Sequence, residues 1–165
     1  MFLYTYTFFL KGIYIEIMIH FKEVIMLFFV MFMISLYVDS MNMMVNSIQD
    51  IYLSKSLIIS SLYMASTMMG AHQIVHYLTY GYLKKRIFIV GIGLSVVFLY
   101  IMRKQMFIKP KDWLREMIPH HSAAITTTTQ LLKNNKFHTN SPVYKLATQI
   151  LASQQDEINL MKSLL

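Results

Sequence analysis

The chain has 165 residues, 56% of them hydrophobic and 14% charged, against about 25% charged in an ordinary soluble domain. Fifteen Lys and Arg against eight Asp and Glu give a net charge of +7, but the cations cluster at the ends of apolar runs, which argues against a nucleic-acid surface and for membrane topology. The lack of cysteine excludes a disulfide framework, a thiolate metal site and a cysteine nucleophile.

Residues 1–22 read as an N-terminal extension, because Lys11, Glu16 and Lys22 interrupt the apolar sequence and the basic-then-apolar order of a signal peptide is missing. A first transmembrane helix is expected over about 23–40, built on the uncharged run 24–38 and lengthened by snorkelling of Lys22. A polar connection with Asn42, Asn46, Gln49 and Asp50 follows. The second span, about 56–83, has no charge but carries Ser60, Ser61, Ser66, Thr67, Gly70, His72, Gln73 and His76. Small and hydroxyl residues of this kind favour close helix–helix approach in lipid. Lys84-Lys85-Arg86 ends it, and a third span of about 87–102 is closed by Arg103-Lys104. The tight basic loop 84–86 belongs on the cytoplasmic side, which places the C-terminal region outside the cytoplasm of a multi-pass cell-membrane protein.

Beyond Arg103 the character changes. A soluble helical hairpin is expected over 108–165. One helix starts at Lys109-Pro110-Lys111-Asp112 and runs to about Lys133. After a loop at 134–140, a second starts with Ser141 as N-cap and Pro142 at the first helical position. The fold class is therefore all-α. Two periodic stripes run along the first helix: Leu114, Ile118, His121, Ile125, Thr128 and Leu132, and beside them Trp113, Met117, His120, Ala124, Thr127 and Leu131. On the second helix Val143, Ala147, Ile150, Gln154, Glu157 or Ile158, Met161 and Leu165 keep the same rhythm. Both histidines are thus expected on inward faces, opposite Gln154, Glu157 and Met161, with the helix bent just before them at Pro119. Two helices alone enclose little apolar surface, so the bundle is completed by self-association or by packing on the membrane region.

The stretch from Trp113 to His121 (WLREMIPHH), with Ala124-Ile125, resembles the opening helix of the family called domain of unknown function 305. Leu146-Ala147, Ile150, Gln154, Glu157-Ile158 and Met161-Lys162 resemble its closing helix. Tyr37-Val38-Asp39, Ile51 to Ser54 and Tyr63-Met64-Ala65 are similar to the membrane-anchored subtype. The resemblance implies a ferritin-like helical fold and, from some members, copper binding through histidine and methionine. Where soluble members commonly carry methionines shortly after the histidine pair, this chain has Ala123 and Thr127.

The residues themselves support a metal set of His120, His121, Met117, Glu157 and Met161, with Gln154 behind it. Imidazole suits copper and zinc, thioether suits Cu(I), and a mixed set without cysteine fits copper before zinc. Adjacent histidines diverge by about 100° on a helix, and the competing reading is a polar seam in which His, Gln154 and Glu157 satisfy one another. His72 and His76, one turn apart inside a span, form a secondary metal candidate. No catalytic set is visible: ferritin-like di-iron chemistry needs Glu-x-x-His spacing, and Glu116 to His120 is four apart. Two readings stand. One is a membrane protein with an extracytoplasmic hairpin that binds a transition metal; the other is a non-catalytic interaction module whose hairpin self-associates.

Overall fold

The computed structural model describes residues 22–165; the expected extension at 1–22 lies almost wholly outside them. All regular structure among the described residues is helical. Helix α1 covers 22–37 as described, followed by a short α2 (Ser40–Met43), a 3-10 turn at Ile48–Asp50, α3 (Lys55–Tyr80), α4 (Lys85–Arg103), α5 (Pro110–Asn134) and α6 (Pro142–Ser163). The chain falls into two compact units. The first takes in 22–35 and 61–98, the second Leu36–Ser60 and Leu99–Leu165.

In the first unit, the three spans expected from sequence are met in one helix. Among the described residues α4 is long and apolar enough to cross a bilayer by length and composition. α3 has the length, at 26 residues, but its serines, threonine, histidines and Gln73 dilute its apolar character. The described part of α1 reaches only about 24 Å at 1.5 Å per residue, short of a hydrocarbon core of about 30 Å. Its end is set chemically: the Asp39 carboxylate accepts the Asn42 N–H at 3.0 Å and starts α2 instead. α3 stops at Gly81, whose φ of +76° suits a left-handed helix terminus. α3 and α4 meet at glycines, where a Cβ on Gly91 would stand 2.9 Å from the Gly70 backbone nitrogen. Apolar side chains elsewhere in this unit face outward, among them Met26, Phe29, Val30, Ile89, Val96 and Val97.

The second unit is the expected hairpin, α5 against α6, with the segment 39–54 laid over one of its faces. Its core is Leu114, Ile118, Ile125, Ile158 and Met161, with Tyr52, Met117, Leu151 and Leu165 packed against it. α5 runs without interruption through Pro119. Asp112 at its start accepts the Lys109 N–H at 3.2 Å and the Lys55 ammonium at 2.9 Å. That ammonium holds the Asp112 carboxyl below its ordinary value, against the opposing effect of burial. Ser141 precedes α6 as expected, but its side chain makes no capping bond.

The helical faces need one correction. The buried stripe of α6 runs through Ala147, Leu151, Gln154, Ile158, Met161 and Leu165. Val143 is exposed, and Glu157 lies on the exposed neighbouring stripe. On α5, Trp113, His120, Thr127 and Leu131 are exposed. Segment 39–54 already covers one side of the hairpin, so only one of the two α5 stripes is needed inside.

Candidate functional site

His121 is held by two bonds. Its Nδ1 stands 2.8 Å from the carbonyl of Met117, one turn back, and its Nε2 stands 2.7 Å from Glu157 Oε2 on α6. A carbonyl only accepts, so Nδ1 carries a hydrogen and Nε2 faces the carboxylate. One proton must therefore be shared between Nε2 and Oε2 for that contact to bond. The pair bridges the two helices at the edge of the hairpin, with the His121 side chain 16% and the Glu157 side chain 51% exposed.

The other expected ligands lie elsewhere. His120, its ring centroid 5.8 Å from that of His121, is exposed and turns to a cavity of about 180 Å³. Met41, Asn42, Tyr52, Glu116 and Met117 share that lining. Met117 thus gives His121 its carbonyl while its side chain packs on the core and lines the cavity. Met161 is a core residue, 6% exposed. Gln154 is half-buried on α6. Among the described residues no three His, Asp or Glu side chains come together as a metal-holding group; His121 and Glu157 form a two-donor half-site. In the first unit, His72 and His76 have centroids 6.4 Å apart. His76 Nδ1 donates to the Tyr82 carbonyl at 3.1 Å, and His72 Nδ1 accepts from Gln73 at 3.3 Å,

A second polar cluster escaped the sequence reading. Asp50, in the 3-10 turn and 4% exposed, accepts the Ser122 hydroxyl at 2.5 Å and faces the Lys162 ammonium at 2.5 Å. The Ser122 oxygen in turn accepts the Asn46 N–H at 2.8 Å. Nearby, the Ser56 hydroxyl donates to Glu116 at 2.5 Å. Four elements are tied by these bonds: the turn, the α3 start, α5 and α6. The one available signal was an acid in a loop otherwise free of charge, and it has no periodicity to expose it.

A helical hairpin whose face carries a His–Glu bridge, braced by a buried Asp–Lys–Ser cluster, defines a non-enzymatic binding or scaffold class on its geometry. Residues 108–165 match the family described as Domain of unknown function (DUF305). The chain is also 36% identical over 132 residues to "Uncharacterized protein L153" of Acanthamoeba polyphaga mimivirus, covering 78% of this chain and 82% of that protein. The chain belongs to this family, through its C-terminal hairpin. No solved structure matches it.

Proposed function

We propose that the protein is a multi-pass membrane protein whose ferritin-like C-terminal hairpin, outside the cytoplasm, holds a transition-metal ion for metal handling or tolerance. The observation that carries the metal reading is the orientation of His121. The Met117 carbonyl fixes the Nδ1–H tautomer, which leaves the Nε2 lone pair directed at a carboxylate 2.7 Å away. Outer-sphere bonds of this kind orient metal-binding histidines, and an ion binding there would displace the shared proton. Nitrogen and oxygen donors suit Cu(II) or Zn(II), copper first by the order of divalent affinities. The membrane reading is supported by the outward apolar side chains of α1 and α4, which no part of the described chain covers, and the orientation by Lys84-Lys85-Arg86.

Metal analysis and calorimetry on the full chain in mild detergent test this. His121→Ala should weaken Cu(II) binding at least tenfold, while His138→Ala, in the α5–α6 connection, should leave it unchanged. Equal binding by both variants would refute the metal site.

The scaffold reading is favoured by a different observation, the buried Asp50–Lys162–Ser122 cluster. Its three side chains satisfy one another and serve to fix the segment 39–54 on the hairpin. Buried ion pairs of this kind contribute more to uniqueness of packing than to net stability.

A further inference from the structure

Segment 39–54 covers one face of the hairpin; the other is open and apolar. Along α6 the open stripe is Val143, Leu146, Ile150, Ser153, Glu157, Leu160 and Leu164, at alternating steps of three and four. Leu146, Leu160 and Leu164 are 58%, 60% and 58% exposed. His121 borders this face on α5, and Ala124, Thr128 and the exposed Leu131 continue it at the same spacing. The stripe has an internal symmetry: Leu146 and Leu164, Ile150 and Leu160, and Ser153 and Glu157 are each equidistant from position 155.

We infer that this face pairs with a second copy of the chain about a two-fold axis near residue 155, α6 antiparallel to α6, and that the two His121–Glu157 half-sites there make one four-donor metal site. This rests on the metal reading above for the ion, and on the stripe alone for the pairing. In that register every large apolar residue from Leu146 to Leu164 meets an apolar partner: Leu146 meets the partner's Leu164 and Ile150 meets the partner's Leu160. Each Glu157 then faces the partner's Ser153. A two-fold contact requires this self-complementarity, and shifting the register by one heptad sets Leu160 opposite Ser153 or Leu146 opposite Glu157.

Size and charge agree. From Leu146 to Leu164 the stripe is about 27 Å long, and two helices spaced about 10 Å apart present about 540 Å² per copy, or about 1,100 Å² in all. That meets the lower bound of about 1,000 Å² for a specific interface. The pairing brings two Glu157 residues to within about 6 Å along the axis. Two carboxylates so placed need positive charge between them, which His121 supplies by protonation or a divalent ion supplies directly. The half-site lacks donors within one chain; the partner provides the missing imidazole and carboxylate.

The chain contains no cysteine, so introduced thiols report alone. Full-length Ile150→Cys/Leu160→Cys and Leu146→Cys/Leu164→Cys, in mild detergent with chelator and diamide, should each give covalent dimer at least tenfold above the corresponding single-cysteine variants. Two copies of the same position, 150 or 160, are about 15 Å apart along the axis and cannot join. Circular dichroism shows that each variant keeps its helices. Cross-linking of single-cysteine variants would mean a parallel contact, and none in either pair would mean no contact; both overturn the pairing. Cu(II) titration of the uncross-linked chain should saturate at one ion per two chains. One ion per chain without cross-linking leaves the metal reading intact and removes the shared site. Cross-linking with no metal bound keeps the pairing and removes the ion from it.

Discussion

Replacing Lys162 by Met tests whether the segment 39–54 is held by charge. Asp50 is 4% exposed and its Oδ1 has no directed hydrogen bond, so the ammonium 2.5 Å away is its compensation. Removing one partner of a buried pair costs about 3–5 kcal/mol, because the other charge stays desolvated. Asp50→Asn is milder, about 1–2 kcal/mol. The amide can still accept from Ser122, and Lys162, whose side chain is 30% exposed, can turn its ammonium to water. The double variant should resemble Asp50→Asn, leaving a coupling of about 2–4 kcal/mol between the two positions. Hydrogen exchange reads this locally at the Asn46 N–H, bonded to Ser122, and the Tyr52 N–H, bonded to Asn42. Lys162→Met should lower their protection roughly 150- to 5,000-fold, and adding Asp50→Asn should restore most of it. Additive losses in the double variant would refute the reasoning.

Three shorter predictions follow from other contacts. Asp112 titrates below its ordinary value because of Lys55, so its contribution is present above the unfolded carboxyl value of about pH 4 and is lost as pH falls through the lower folded value. Asp112→Asn should flatten that acid-side loss, as followed by exchange of the α5 first-turn amides. Gly91→Ala should destabilise the α3–α4 contact more than Gly70→Ala, read as melting temperature in detergent. The Gly91 Cβ would strike backbone 2.9 Å away, whereas that of Gly70 would meet the flexible end of Ile92. A C-terminal alkaline phosphatase fusion should be active and a fluorescent-protein fusion dark, and the reverse would place the hairpin on the cytoplasmic side.

The hairpin was legible because periodicity reports helices. Pro110 and Pro142 mark the two starts, and 134–140 reads as the turn between them; α5 and α6 fall within a few residues of those bounds. The His121–Glu157 pairing was legible for the same reason, since both positions lie on stripes that face across the hairpin edge. What the pattern could not supply is which of two adjacent stripes turns inward. That depends on segment 39–54, which covers the Ser122–Lys162 side and leaves His120, Val143 and Leu160 outside. Met161 reads as a ligand or as core with equal ease, because a thioether fills apolar space well. Asp50 was invisible as a bracing residue: its partners are 72 and 112 positions away in sequence, and contacts at that range leave no local signature. The helices of the first unit illustrate the opposite failure, in which freedom from charge over 56–83 suggests a span although α3 is too rich in hydroxyl and imidazole groups to match α4.

The central claim is that His121 and Glu157 hold a metal ion, and the most direct measurement is Cu(II) titration of the full chain by calorimetry beside a Glu157→Gln variant. Glutamine keeps the size of the side chain and can still bond to His121, so the hairpin should stay folded by circular dichroism. The account predicts a loss of copper affinity of at least tenfold with helicity unchanged. Affinity equal to that of the unaltered chain would contradict it and leave the His–Glu bridge a structural bond alone.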